Sequence, residues 1–170
     1  NKDITDFISK DIKIGRSVAT YDVANYKTGV EIVSYNGGVT GDTITIPNTI
    51  DGKAVLKVGD NAFNGELWNK DFSNIKHIEV PANVEKIGKS AFANMTGLES
   101  VEFDKFGNLR EIDSFAFSNT ALVSLVLPGS LGEVGHCAFT GADKLEVIEI
   151  DNYRSSTYCS SAGVLFDKAG

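Results

Sequence analysis

A short motif that occurs four times constrains this chain more than any other feature of its sequence. Each copy has a β-branched residue, then three variable residues, then Ala-Phe. The copies occupy residues 58–63, 87–92, 112–117 and 134–139. Successive motif phenylalanines lie 29, 25 and 22 residues apart. A repeat of this length indicates a solenoid, because one unit cannot bury its apolar side alone and must stack on its neighbours.

A second pattern lies between the copies of the first. It reads apolar, two variable residues, apolar, one variable residue, apolar. Its full copies end at Val80, Phe103, Leu127 and Ile150, and an earlier, partial copy ends at Ile46. A proline follows Ile46, Val80 and Leu127. The alternation predicts a strand with one buried face. A proline then ends the strand because it has no backbone N–H to donate.

The Ala-Phe motif also predicts a turn. The residues two places after the four phenylalanines are Gly65, Asn94, Asn119 and Gly141. Glycine and asparagine accept a positive φ more readily than other residues. We therefore expect a tight turn at this position in every repeat, with the β-branched residue, the alanine and the phenylalanine in the core.

Residues 1–42 do not follow the repeat. Segments 18–26 and 29–35 have the composition of strands, and residues 3–10 are compatible with a short helix. We expect residues 1–42 to be an N-terminal β-rich cap with entry strands, because the first repeat would otherwise expose its interior. Residues 43–170 then form the solenoid. Its end reads as a polar loop over 153–161 and a further strand from Gly163 without a polar cap, which predicts truncation at the C-terminus.

The two patterns together, I-x-x-x-A-F and L-x-x-I-x-I-P, resemble the BspA-like class of bacterial leucine-rich repeats. The segments 43–63 and 160–168 also look like parts of such domains. The chain departs from the pattern at Phe103-Asp104, where the proline is missing, and at Asp113, where the glycine is missing. The resemblance implies a secreted or cell-surface protein associated with adhesion, and it carries no catalytic residues or cofactor.

The expected fold is therefore an α/β solenoid that is mostly β. It is a leucine-rich repeat right-handed coil of about four to five short repeats, with short turns or 3₁₀ segments near the Ala-Phe pairs and an N-terminal β-rich cap.

Charge and composition exclude several function classes. The net charge is −7 and the isoelectric point is about 4.8, so nucleic acids and anionic membranes are disfavoured partners. No apolar run approaches the roughly 20 residues that span a bilayer, so we expect no membrane insertion in this segment. Cys137 and Cys159 form no C-x-x-C pair, and we expect no metal or cofactor. Their spacing is compatible with a disulfide between adjacent coils and also with two buried thiols.

The outward residues of the predicted strands are the candidate binding surface. In a stack of coils, equivalent residues form columns in which successive members lie about 4.8 Å apart. The candidates for partner binding are Thr45, His77, Glu79, Ser100, Glu102, Ser124, Val126 and Glu149. The alternative is an ordinary solvated sheet face. Trp68, in an insertion with Phe72, is a further candidate as an exposed aromatic anchor, and the alternative is that both rings fold back over the solenoid.

These observations predict an extracellular or cell-surface protein-interaction module of adhesion type. Its partner would be a protein or glycan at a cell surface, recognised without catalysis. One alternative is a structural spacer that presents another domain. A weaker alternative is a hydrolase that uses His77, Ser100 and Glu79, although no nucleophile elbow or oxyanion loop accompanies them.

Overall fold

The computed structural model describes residues 6–14, 17–26, 28–38, 41–151, 158–161 and 164–167. Within these ranges the chain consists of strands and turns and has no helix. The expectation of a mostly β solenoid is confirmed, and the helical part of the α/β assignment is wrong for the described residues. Each Ala-Phe turn contains a residue with positive φ, and a right-handed helix does not accept this conformation. The turns are also too short to form isolated helices.

Three long strands begin the chain and shorter ones follow. The first six are β1 (Asp6–Ile14), β2 (Ser17–Asn25), β3 (Val30–Gly37), β4 (Thr43–Thr45), β5 (Thr49–Ile50) and β6 (Lys53–Val58). The next five are β7 (His77–Val80), β8 (Lys86–Ile87), β9 (Ser100–Phe103), β10 (Glu111–Ile112) and β11 (Ser124–Leu127). The last four are β12 (Glu133–Val134), β13 (Val147–Ile150), β14 (Tyr158–Ser161) and β15 (Val164–Asp167).

One sheet connects the N-terminal strands to the coils. Its order is β1-β2-β3-β6-β8-β10-β12, with β5 also paired to β6. The first two pairings are antiparallel, and from β3 onward neighbours on this path are parallel. The β-branched residues of the motif are aligned in register as Val58, Ile87, Ile112 and Val134, and Ile32 of β3 pairs with Val58. The helix expected over residues 3–10 is wrong from residue 6 onward, because β1 pairs with β2 there.

The second pattern forms the other strand of each coil. Strands β4, β7 and β9 make one parallel sheet, and β11 and β13 make another. Most of their inward residues are buried, including Ile44, Ile78 and Leu125, and Phe103 and Ile148 are partly buried. The predicted strands therefore form with the buried face that the alternation indicates.

The motif phenylalanines form a stack along the interior. The ring centroids of Phe63 and Phe92 are 5.1 Å apart, those of Phe92 and Phe117 are 5.3 Å apart, and those of Phe117 and Phe139 are 5.7 Å apart. The first three rings are fully buried. Backbone bonds follow the same stack, since the N–H of Phe63 donates to the carbonyl of Ala91 at 2.7 Å. Adjacent coils thus share one interior, and burial of each ring contributes about 1.5–3 kcal/mol.

Two columns of residues in the turns have positive φ. Asn94, Asn119 and Gly141 do so as predicted, with φ of 61°, 55° and 73°. The prediction is wrong for Gly65, because its φ angle does not lie in the left-handed region. At Gly65 an inserted loop begins, and the Gly65 carbonyl accepts a bond from the Lys70 N–H at 2.8 Å. The second column was not predicted and directly precedes the alanines: Asn61, Ser90, Phe115 and Cys137 have φ between 52° and 60°.

The C-terminal part differs from the expectation in one respect. Strand β14 pairs antiparallel with β15, so residues 158–161 form a strand where a loop was expected. The strand expected after Gly163 is present as β15.

Candidate interaction surface

The exposed side chains of β4, β7, β9, β11 and β13 lie in columns on one side of the coil, which we call the strand face. Thr43, His77 and Ser100 are in register, as are Thr45, Glu79 and Glu102. Farther along the coil, Ser124 is paired with Val147 and Val126 with Glu149. The structure therefore brings together eight of the nine sequence-predicted candidates on one face, and Trp68 is the exception.

Hydrogen bonds connect neighbouring coils across the strand face. The Thr45 hydroxyl donates to Glu79 Oε2 at 2.7 Å, and His77 Nδ1 lies 2.7 Å from Ser100 Oγ. In a hydrolytic triad the carboxylate would orient the histidine through the other ring nitrogen. Here the hydrogen-bond partner of the Glu79 carboxylate is Thr45, so this arrangement does not assemble such a triad.

The strand face contains an interruption between β9 and β11. These two strands belong to separate sheets, whereas β4, β7 and β9 pair continuously. The interruption coincides with the missing proline after Phe103 and with the widened turn at residues 104–108. Phe103 is only partly buried, whereas Val80 and Leu127 are buried at the corresponding position of their strands.

A groove lies at this interruption, which we call the apolar groove. Its volume is about 290 Å³. It is lined by Ser100, Val101, Glu102, Phe103, Lys105, Ser124, Val126, Leu127, Pro128 and Asp151. The Val126 side chain is 52% exposed there, which is unusual for a β-branched residue in a strand.

A second depression of about 240 Å³ adjoins the first, and we call it the acidic groove. It is lined by Thr45, Ile46, Glu79, Val80, Pro81, Glu102 and Asp104. Glu102 lines both grooves. Asp104 is held in place because its Oδ1 accepts a hydrogen bond from the Phe106 N–H at 2.8 Å. Three carboxylates therefore surround a depression whose other side chains are neutral.

Sequence reasoning missed part of this site. It identified Ser100, Glu102, Ser124 and Val126 but not Phe103, Lys105, Pro128 or Asp151. The signal in the sequence is the missing proline after Phe103 together with the long turn at residues 104–108. Whether such a change opens a groove depends on how the strands on both sides pack.

Trp68 and Phe72 behave differently from each other. Phe72 is buried, with its ring centroid 6.0 Å from that of Tyr35. Trp68 is 42% exposed, and its indole N–H donates to the Asn61 carbonyl at 2.7 Å. Neither Trp68 nor Asn61 lines a groove of the strand face. The expectation that the insertion covers the solenoid thus holds for Phe72, and Trp68 remains a separate candidate.

Other chemistry is limited in the part of the chain that the structure describes. No group of three or more His, Cys, Asp or Glu side chains among the described residues is arranged to hold a metal ion. No helix within those ranges is long and apolar enough to cross a membrane. Cys137 is a half-buried free thiol, and the Cys159 side chain lies outside the described residues.

The repeat itself matches a known family model. The model of the BspA type leucine-rich repeat region matches residues 57–162 in six copies. The chain belongs to this family. The four aligned motifs and the phenylalanine stack are thus the BspA-type repeat as it occurs in this protein, and the resemblance drawn from the sequence patterns is confirmed.

Solved structures of bacterial leucine-rich repeat proteins have similar folds. A leucine-rich repeat protein from Bacteroides capillosus is 22% identical with a TM-score of 0.63, covering 83% of this chain and 98% of its own. A leucine-rich repeat protein from Treponema pallidum is 26% identical with a TM-score of 0.56, and the match covers 75% of this chain and 67% of that protein.

The pneumococcal vaccine antigen PcpA is a third structural relative. It is 20% identical with a TM-score of 0.60, and the match covers 95% of this chain and 54% of the antigen. This chain therefore spans about half the length of that protein, and at this identity the likeness concerns the fold alone. No curated protein sequence matches the chain.

Proposed function

We propose that this chain is a protein-interaction module of an extracellular or cell-surface protein, which binds its partner through the strand face without catalysis. The observation that carries the proposal is the register, because pairing of successive strands places Thr45, Glu79 and Glu102 in one exposed column. Solenoids use such extended surfaces for recognition. A surface location agrees with the fold shared with a pneumococcal vaccine antigen.

The charge of the face favours a basic partner surface. Glu79, Glu102 and Glu149 are exposed, and the whole chain carries a net charge of −7. Exposed carboxylates contribute little affinity individually, but complementary charge steers association and selects partners. We therefore expect the partner to present lysine or arginine side chains to this face.

The remaining parts of the proposal concern the scaffold. We propose that strands β1, β2 and β3 act as the N-terminal cap, since Tyr21, Val23 and Ile32 belong to the same hydrophobic cluster as the coils. We also retain the right-handed sense of the coil as a prediction.

Charge reversal tests the function. The triple variant Glu79→Lys, Glu102→Lys and Glu149→Lys changes only exposed side chains of the strand face. The matched control Glu85→Lys, Glu133→Lys and Asp143→Lys changes the same number of exposed carboxylates away from it. Both would be measured for binding to a panel of extracellular matrix proteins and glycans, with circular dichroism as a check on folding.

We expect wild type and control to bind the same protein, and the strand-face variant to lose at least about tenfold in affinity. Equal binding by both variants would contradict the proposal and favour the spacer function. Selective binding to a glycan in place of a protein would contradict the proposed class of partner.

A further inference from the structure

We propose that the two grooves together hold an extended polypeptide segment of the partner, in which a lysine or arginine and an aliphatic residue lie two positions apart, on the same side of the segment. The aliphatic side chain occupies the apolar groove and the cation occupies the acidic groove. This inference rests on the proposed function, because it specifies the chemistry of the partner for the same face.

The apolar groove favours an aliphatic side chain because its walls are already partly dehydrated. Leu127 and Pro128 are buried, and Val126 and Phe103 present the apolar surface that remains exposed. No strand pairing joins β9 to β11 in the described chain, so the side chains of neighbouring coils do not close this gap. Removing such surface from water is favourable in proportion to its area.

The acidic groove favours a cation because three carboxylates surround it. Glu79 and Glu102 are in register on adjacent strands, and Asp104 closes one end. Among the described residues that line the two grooves, Lys105 is the one basic residue, and it belongs to the apolar groove. It offsets part of the charge of Glu102 and Asp151 in the apolar groove, whereas no cation among the described residues lines the acidic groove with its three carboxylates, so a basic side chain favours the acidic groove. The charges therefore assign the two side chains to different grooves and set the direction in which the segment lies.

The separation of the grooves sets the spacing in the ligand. The acidic groove extends over the ends of β4, β7 and β9, and the apolar groove over β9, β11 and the residue after β13. The two grooves share Glu102 of β9, and their centres lie about one and a half strand spacings apart, or roughly 7 Å. An extended chain advances about 3.3 Å per residue and alternates its side chains, so side chains two positions apart lie on one face about 6.6 Å apart. A segment lying across the strands would thus reach both grooves.

Titration with synthetic peptides tests the proposal directly. The probe is acetyl-Gly-Ser-Lys-Ser-Leu-Ser-Gly-amide, added to ¹⁵N-labelled protein and followed by amide chemical shifts. We expect saturable shifts at Ser100, Glu102, Lys105, Ser124 and Val126. A peptide with glutamate in place of lysine and one with serine in place of leucine serve as controls, and each should bind at least about tenfold more weakly.

Two valines provide a matched pair of variants. Val126 is 52% exposed in the apolar groove, and Val123 is 44% exposed outside it. We expect Val126→Ser to weaken the lysine-leucine peptide about tenfold and Val123→Ser to leave binding unchanged. Because both side chains are exposed, neither substitution should prevent folding. Absence of saturable shifts, equal binding of the glutamate peptide, or equal effects of the two variants would overturn the proposal.

The proposed function and the groove hypothesis can be refuted separately. If the strand-face charge reversal abolishes partner binding but Val126→Ser and the peptides have no effect, the interaction module stands and the groove hypothesis is wrong. If the peptides bind as expected but the charge reversal leaves binding to every panel protein unchanged, the proposed function is wrong.

Discussion

The ring of Tyr35 stacks on the ring of Phe63, with centroids 5.3 Å apart and planes inclined by 21°. The Tyr35 N–H donates to the Ala62 carbonyl at 3.0 Å, as the Phe63 N–H does to the Ala91 carbonyl. Tyr35 therefore occupies the place of a motif phenylalanine, although it lies in β3, before the first Ala-Phe motif. The aromatic stack begins in the N-terminal strands and continues through four coils.

The glycine after the β-branched residue permits close stacking of coils. A Cβ at Gly135 would lie 2.3 Å from the Ser114 nitrogen and 2.6 Å from the Asp113 carbonyl carbon, whereas one at Gly132 would meet nothing nearer than 3.5 Å. We expect Gly135→Ala to lower the free energy of unfolding by about 1–3 kcal/mol, because backbone atoms of the preceding coil must shift. Gly132→Ala should change it by less than about 1 kcal/mol. Urea unfolding measures both, and equal effects would contradict this explanation.

The residue before each motif alanine has a left-handed backbone conformation, which lowers stability when a residue other than glycine, asparagine or aspartate adopts it. Asn61 suits this conformation, but Cys137 at φ 54° in the corresponding position does not. We expect Cys137→Asn to raise the free energy of unfolding by about 0.5–1 kcal/mol. Cys137→Ser removes the thiol without supplying an amide side chain and serves as the control. A lower melting temperature for Cys137→Asn than for Cys137→Ser would show that the thiol packs more favourably than the backbone argument allows.

An ion-pair cluster between coils predicts a pH dependence. Lys86 Nζ contacts Glu111 Oε1 and lies 3.0 Å from Asp113 Oδ2. Burial raises the pKa of Asp113, but the Ser114 N–H and Lys86 outweigh it and hold this pKa below its ordinary value. Burial likewise lowers the pKa of Lys86, but Glu111 and Asp113 outweigh it and raise this pKa above its ordinary value.

The signs of these shifts set the pH window. The contribution of Asp113 is complete above its unfolded-state pKa near 3.8 and is lost as the pH falls through the lower folded-state value. The contribution of Lys86 is complete below its unfolded-state pKa near 10.5 and is lost as the pH rises through the higher folded-state value. We expect Lys86→Met to cost less than about 1 kcal/mol near neutral pH, and less still at either extreme. Unfolding at several pH values tests this, with Lys89→Met as an exposed control, and a cost independent of pH would contradict it.

The sequence predicted the repeating interior well because each side chain in it has a local signature. Ala91 and Phe92, for example, are buried where the motif indicates. Tyr35 escaped prediction because it follows Ile32 by three residues, whereas the motif phenylalanines follow their β-branched residues by five. Tyr35 therefore occupies the same position in the stack with a different spacing from its β-branched residue, so a search for the fixed motif does not find it.

The candidate site was predicted only in part, for a different physical reason. Alternation along a strand identifies outward residues such as Glu102 and Val126, since the side-chain period is two. The groove beside them lies where β9 and β11 are not paired, next to Phe103 and the turn that follows it. Strand pairing of this kind depends on packing between coils that are distant in sequence.

The shared interior is the claim on which the strand face and its grooves depend, and one comparison of two phenylalanines tests it most directly. Phe92 is fully buried between Phe63 and Phe117, whereas Phe106 is 49% exposed in the turn after β9. Equilibrium unfolding in urea should show that Phe92→Ala lowers the free energy of unfolding by about 3–5 kcal/mol, and that Phe106→Ala lowers it by less than about 1 kcal/mol. Similar small losses for both variants would contradict a stack of coils built around one column of rings.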